Sequence, residues 1–400
     1  MKNPLQDLRV LDFTHALAGP YCTMLMAMYG AEVFKVEGLE SGDMGRSWGP
    51  PFQGGESSYF LGVNTGKKGV AIDLKHPRGL DLCRALVEHV DVLVENLRPG
   101  SLQRLGLGYS DCAARNPRLV YCSISGYGQS GPARDEPAMD LILQATSGLI
   151  SVTGVSEEAL ARCGHSVADV TAGLAALTGI LMALRAREIT GKGQHVDVAM
   201  LDVMISAMCS NFANYFGSGV IPRPLGTAFA TIVPYRTFRT ADGELAIAVA
   251  SEKLWRQFCQ AVGKPELAED ERFLTNALRV KNRQLLEPLL AEMFGAKSTA
   301  AWKEILHAGG IPCGPVRNLR EVSEDPQAAA REMFPVVSHP TAGAVRVTGA
   351  PIKLSDTPGR KPEAAPLAGQ HTREALKRLL SMEDAEIDEF VAAGIVRESR

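Results

Sequence analysis

Short apolar runs and amphipathic segments alternate through the first half of the chain. Leu8–Phe13 reads as a buried parallel strand, and Gly19-Pro20 opens a helix reaching about Tyr29, where Gly30 ends it. Glu32–Val36 is the next strand, so the chain begins with a βαβ unit, which implies a right-handed crossover and a parallel sheet. A glycine- and proline-rich loop spans 38–55 and carries Arg46 and Trp48. The alternation resumes with strand Gly69–Leu74, helix Pro77–His89, strand Val92–Glu95, a helix near Tyr109–Arg115 and strand Leu119–Ser123. After a loop over Gly126–Pro137 come a helix over Asp140–Ser147 and the long small-residue stretch Cys163–Leu184. The latter holds one acid, Asp169, and then no charge before Arg185. Strand Gln194–Val198 and an apolar helix over Met200–Phe216 complete a doubly wound α/β pattern.

Composition shifts at Gly217–Pro224, which marks a domain boundary. Beyond it, Tyr235–Phe238 and Glu244–Ala250 flank Ala241-Asp242-Gly243 as a hairpin, followed by helices near Leu254–Val262, Lys281–Met293 and Ala300–His307. Ile311–Val316 is a stiff exit from this smaller α+β region. The tail, with strand-like Pro335–Ser338 and Ala344–Thr348 and two short helices, is expected to pack back on the first domain.

Across 400 residues, 46% hydrophobic and 22% charged, Lys plus Arg (42) nearly balance Asp plus Glu (45), for a net charge of −3. No basic stripe suggests a nucleic-acid track, so an anionic ligand must be held by a local pocket. Asp7 and Arg9 stand where a signal peptide needs an apolar core, and Ala172–Leu184 is too short to span a bilayer. The eight cysteines show no C-x-x-C or zinc spacing. Reduced thiols, a cytoplasmic location, no metal and no permanently bound cofactor are the expectations.

Candidate chemistry centres on Asp169. At the mouth of an apolar helix it reads either as an N-cap or as a carboxylate held where water is scarce, and the roles can coexist because a helix N-terminus stabilises an anion. Lys75 and Asn96 follow the carboxyl ends of two successive strands, where open α/β sheets bind ligands, with Arg98 and Arg104 a few residues on. These suit a phosphate-bearing ligand, or else form a solvated surface. Gly126-Tyr127-Gly128-Gln129-Ser130-Gly131 matches a dinucleotide fingerprint formally, but Pro132 and Pro137 prevent the required helix; it reads as a glycine loop lining some other pocket. Gly164-His165-Ser166-Val167 ends in Ala168 and is no nucleophile elbow.

Taken together, L-D-F-T-H-A-L-A-G-P-Y, V-E-N-L-R-P-G, S-I-S-G-Y-G-Q-S-G-P, D-V-T-A-G-L-A-A-L-T-G, T-G-K-G-Q-H-V-D-V-A-M-L-D and G-I-P-C-G-P-V resemble the family III CoA-transferases, end to end. The resemblance implies a large Rossmann-like domain (1–222 and 325–400), a smaller one (223–324) and two interlocked subunits. It carries the catalytic aspartate to Asp169. CoA contacts fall on His15, Ala16, Leu17, Ala18, Ile72, Asp73, Leu74, Lys75, Asn96, Leu97, Arg98, Arg104, Pro137, Ala138, Met139 and Asp140. A closing loop falls on Gly226, Thr227 and Ala228. Acyl-CoA and a carboxylate are then the partners, reacting through an aspartyl-CoA thioester, with backbone N–H groups of the glycine loop and the first strand's end steadying the oxyanions. Leu17 replaces the polar Gln of formyl-CoA:oxalate enzymes, which argues against oxalate, and Gly38 replaces an adenine-stacking Arg. The pattern looks closest to succinyl-CoA-dependent enzymes for glutarate-like acids, with Arg46 a candidate for the distal carboxylate or equally a CoA-pocket or fold residue. An α-methylacyl-CoA racemase is the rival, disfavoured because Met139 stands where racemases carry a proton-transferring His; a non-catalytic CoA-binding protein is the other.

Overall fold

The computed structural model describes residues 3–40 and 42–399. Its chain divides into two compact units: 1–149 with 163–219 and 326–400, and 150–162 with 220–325. The segment 150–162, which sequence patterning assigns to the larger part, therefore belongs with the smaller unit. Nothing in its composition signals this, because it enters as the strand pair Gly154–Ser156 and Ala159–Leu160 between two helices of the first.

The first unit is mixed α/β around one mostly parallel sheet. In chain order its elements include β1 (Arg9–Phe13), α1 (Ala18–Met28), β2 (Glu32–Glu37), β3 (Lys68–Ile72), α2 (Pro77–Val87), β4 (Val92–Glu95), β5 (Val120–Ser125), α3 (Asp140–Thr146), α4 (Val167–Thr190), β6 (His195–Ala199) and α5 (Met200–Ala207). The sheet order is β6-β5-β4-β1-β2-β3, all parallel. Val396–Arg397 of the tail adds antiparallel beside β3, with Val396 opposite Ile72. The tail thus completes the first unit's sheet. Strands buried on both faces need continuous apolar runs, which is why they read so clearly from the sequence. The expected single helix over 200–216 is instead two, Met200–Ala207 and Cys209–Ser218, broken at Met208.

The order reverses at β1: β2 and β3 lie to one side, β4, β5 and β6 to the other. Such a reversal opens a crevice outside the carboxyl ends of the two strands that flank it, here β1 and β4.

The long helix α4 runs 24 residues from Val167 to Thr190, further than the apolar core of its sequence suggested. It is long and apolar enough to cross a membrane by composition. One side, with Ala172, Gly173, Ala176, Ile180 and Ala183, is buried in a core shared with α1 and the sheet. A Cβ at Gly173 would lie 2.7 Å from the Ala18 carbonyl oxygen, so glycine is what allows α1 and α4 to touch backbone to backbone. The other side presents Leu174, Leu181, Met182 (67% exposed) and Ile189 (72%).

The second unit is a three-stranded antiparallel sheet, β7 (Tyr235–Arg239), β8 (Glu244–Ala248) and β9 (Cys313–Pro315), under helices Glu252–Ala261, Arg283–Gly295 and Thr299–Ala308. Trp255, Phe258, Phe273, Phe294 and Trp302 fill its core. The stiff exit near Ile311–Val316 contributes the third strand.

Candidate active site

The turn from β1 into α1 sits at the switch point and is held by a buried charge network. Asp12 at the end of β1 accepts hydrogen bonds from Thr14 N–H (2.8 Å), Thr14 Oγ1, Thr23 Oγ1 (2.7 Å) and Lys67 Nζ (3.0 Å). Those donors and the positive charges of Lys67 and Lys35 outweigh burial and bring its carboxyl down to about 2. Lys35 donates to the Thr14 carbonyl (2.7 Å) and pairs with Asp43 at 2.8 Å. Asp43 in turn accepts from Ala16 N–H (3.0 Å) and Gly45 N–H (2.8 Å). Ala16 takes the left-handed φ of +63°, a strain for a residue with a Cβ, and this network sustains it. Across the switch point, Asn96 accepts from His15 N–H (2.8 Å) and donates to the His15 carbonyl (2.9 Å), tying β1 to β4. Next to Asn96, Glu95 accepts from Leu97 N–H (2.8 Å), and burial pushes its carboxyl up to about 7.

These groups open onto a cavity of about 460 Å³ lined by His15, Ala16, Ala18, Asn96, Leu97, Arg98, Pro137, Ala138, Met139 and Asp169, together with Met44, Pro99, Ile124, Ser125, Gly126, Arg134, Glu136 and Met200. A larger opening of about 830 Å³ lies at the amino ends of the strands. Most of its cations are spent on neighbouring acids, Arg9, Lys68 and Arg378 on Glu32, Arg187 on Asp91 and Arg360 on Glu363, while Arg118 donates to the Gly191 carbonyl at 3.2 Å. The carboxyl-end cavity is the functional candidate.

Asp169 does not cap its helix. It is the third residue of α4, and the first-turn N–H of Ala168 is instead taken by Asp140 at 2.9 Å, while Asp140 also accepts from Gln144 Nε2 at 2.7 Å. Released from capping, the half-buried Asp169 carboxylate accepts no hydrogen bond among the described residues. Burial first, and the like charge of Asp140 second, push its carboxyl up to about 7. Tyr59, which sequence patterning passed over, feels the Asp169 charge and stacks edge-on against Trp48 with ring centroids 4.9 Å apart.

Other expectations fall differently. The guanidinium of Arg46 donates from Nε and Nη2 to Glu37 (2.8 and 2.7 Å) and from Nη2 to the Pro366 carbonyl (3.1 Å), and it covers the Phe60 ring at 3.7 Å. It is engaged as a fold residue, with little left for a substrate carboxylate. The first strand's end offers no free oxyanion donors at Thr14, His15 or Ala16, since all three N–H groups are taken; Ala18 N–H, at the start of α1, has no partner among the described residues. Ile72 is buried in the core, and Asp73, Leu74, Lys75 and Arg104 lie outside the cavity lining. Lys75 Nζ pairs with Glu40 at 3.0 Å, both more than four-fifths exposed. Leu17 serves as the N-cap residue of α1, accepting from Tyr21 N–H at 2.7 Å. The glycine loop does line a pocket: a Cβ on Gly126 would lie 2.1 Å from that of Ala138. Gly226, Thr227 and Ala228 belong to the second unit, where Gly226 N–H donates to Gly154 (2.7 Å) and Thr227 Oγ1 accepts from Thr237 N–H (3.0 Å).

Residues 5–372 match the model of CoA-transferase family III. The chain belongs to that family. It is 38% identical over 395 residues to succinyl-CoA:glutarate CoA-transferase of Mus musculus, covering 99% of this chain and 91% of the relative. It is 36% identical to succinate–glutarate CoA-transferase of Agrobacterium fabrum (96% and 97% covered) and 36% identical to acetyl-CoA:oxalate CoA-transferase of Acetobacter aceti (92% and 94%). A crystal structure of a CAIB/BAIF family protein from Brucella suis superposes with a TM-score of 0.84 at 34% identity, covering 95% of this chain and all of that one. The chain is therefore a family III CoA-transferase, whose substrates are CoA thioesters and carboxylic acids.

Proposed function

We propose that this CoA-transferase moves CoA from succinyl-CoA to a glutarate-like dicarboxylate, with Asp169 as the nucleophile. The observation that carries this reading is Asp169 itself: a carboxylate without hydrogen-bond partners among the described residues, in the switch-point cavity, with its carboxyl pushed up to about 7. An unsolvated carboxylate is a stronger nucleophile than a hydrated one, and near neutral pH a substantial fraction is ionised.

Asp169 Oδ attacks the succinyl thioester carbonyl; the C–S bond breaks, and CoA departs as a thiolate, which leaves a succinyl–aspartyl mixed anhydride. The thiolate attacks the aspartyl carbonyl and expels succinate, leaving an aspartyl-CoA thioester. The acceptor carboxylate attacks that thioester, releasing the thiolate and forming the second anhydride. The thiolate then takes the acceptor acyl group, and Asp169 is restored. Each intermediate is open to water, so exclusion matters throughout. Ala18 N–H at the start of α1 supplies an oxyanion donor, favoured by the positive end of the helix dipole. His15, Asn96–Arg98 and Pro137–Met139 hold CoA along the cavity wall.

Several further features accompany the reading. The names of the Mus musculus and Agrobacterium fabrum relatives support the succinyl and glutarate pair. Met139 lines the cavity where a racemase needs a proton carrier, and a thioether carries none. The apolar outer side of α4, Leu174, Leu181, Met182 and Ile189, fits burial against a second copy of the chain in an interlocked homodimer. A cytoplasmic setting suits eight cysteines that form no disulfide among the described residues.

Hydroxylamine added with succinyl-CoA, followed by peptide mass spectrometry, should place a hydroxamate on Asp169. An unmodified Asp169 together with full activity in Asp169→Ala would sink the mechanism. An acceptor panel of glutarate, malate, citramalate, mesaconate, itaconate and oxalate, scored by CoA transfer, tests the substrate.

A further inference from the structure

We propose that Arg134 is a phosphate-binding residue for CoA, acting with Arg104 across the gap that Gly100 keeps open. This rests on the CoA-transferase reading and adds a residue to it.

Arg134 lies in the loop after the glycine run and lines the cavity that holds Asp169. Its Nε is buried and has no hydrogen-bond partner, an expensive state for a cationic donor unless a ligand completes it. No carboxylate pairs with it among the described residues, whereas the other buried or half-buried arginines each have an acid beside them; the exposed Arg98 and Arg104 also lack one. A Cβ built on Gly100 would lie 3.4 Å from Arg104 Nη1 and 3.7 Å from Arg134 Nη2, so the two nitrogens are no more than about 7 Å apart. Two guanidinium groups that close repel each other without an anion between them. A phosphate accepting at about 2.8 Å from each side fits such a gap.

Gly100 keeps that gap clear in two ways. Its φ of +79° is a backbone conformation that disfavours a side chain, and any side chain would stand between the two cations. Arg98, two residues before Gly100, is the second guanidinium in the cavity wall, beside Arg134, and has no acid paired with it among the described residues. Arg104 falls outside that lining; its Nη2 donates to Ser101 Oγ at 3.2 Å, and its Nη1 is the nitrogen that faces Gly100. A carboxylate substrate would need one such contact; three guanidiniums with no acid partner among the described residues match a ligand carrying several phosphate charges, as the nucleotide end of CoA does.

The test uses the full-length purified protein. Calorimetry gives the CoA dissociation constant, and steady-state assays give KM and kcat with succinyl-CoA and with a succinyl-pantetheine thioester, which carries no phosphate. Arg134→Gln should weaken CoA binding and raise KM for succinyl-CoA roughly tenfold, with kcat held within twofold, and Arg134→Lys should recover part of the loss because charge persists without the bidentate fork. Raising the salt should shrink the difference. Wild type and Arg134→Gln should use succinyl-pantetheine equally well. Arg320→Ala, on an exposed helix of the second unit, should change nothing and controls for surface charge. If Arg134→Gln keeps the CoA dissociation constant within twofold, or is impaired equally with the phosphate-free donor, the inference is wrong. Should Asp169 prove not to be acylated while CoA binding still depends on Arg134, the mechanism fails and the phosphate site stands.

Discussion

Asp169→Asn should be inactive and yet more stable than the wild type, by an amount that depends on pH. The folded carboxyl sits at about 7, where an aspartate in water ordinarily titrates at 3.8. At about 1.4 kcal/mol per unit, the ceiling is about 4 kcal/mol; water reaching a half-buried group reduces this to about 1–2 kcal/mol. A raised folded value means that Asp169 costs nothing below about pH 4, where both folded and unfolded chains hold the proton. Between about pH 4 and 7 the unfolded chain ionises and the folded one does not, so stability falls as pH rises, and above 7 the loss is complete. Asparagine cannot ionise and escapes that loss. Urea unfolding of the ligand-free protein at pH 5 and pH 8, with both variants side by side, measures it. The gain at pH 8 should clearly exceed the gain at pH 5, and activity should fall by at least about 10³-fold, as loss of a covalent nucleophile implies. An equal gain at both pH values, or a destabilised variant, would mean that Asp169 is not a desolvated carboxylate.

The kcat/KM profile for succinyl-CoA should rise with pH and level off above about 7 as Asp169 ionises; a flat profile from pH 5.5 to 8 contradicts its role as nucleophile. Asp140→Asn should move that rise to lower pH by removing the like charge, while costing about 1 kcal/mol of stability through the weakened cap on Ala168 and the lost acceptor for Gln144. Arg46→Ala should lower stability by about 2–4 kcal/mol by leaving buried Glu37 unpaired, without a selective rise in KM for glutarate; a selective rise would restore Arg46 as a substrate residue. Gly126→Ala should reduce kcat/KM at least tenfold, because its methyl would lie 2.1 Å from Ala138 in the cavity wall, and unchanged kinetics would show that the wall yields.

The parallel strands were legible because burial on both faces leaves apolar runs no other element explains, and the glycine and proline marks around them set the βα order. The ligand-binding end of the sheet followed from that order alone, since Asn96 had to sit past a carboxyl end. What the residues hid was pairing at a distance. Asp12, Lys35, Asp43 and Lys67 read as ordinary charges among apolar neighbours, and only the fold shows that they neutralise one another beneath the β1–α1 turn. Asp140 and Asp169 show the same limit. Each is an acid at or near a helix start, and local rules favour both as caps. The fold gives the cap of α4 to Asp140 from another helix, 28 positions upstream. That assignment leaves Asp169 without a hydrogen bond among the described residues, half-buried in the cavity and beside a second negative charge. The unused carboxylate is therefore a product of long-range geometry: Asp140 takes the cap, and Asp169 is left over in the cavity.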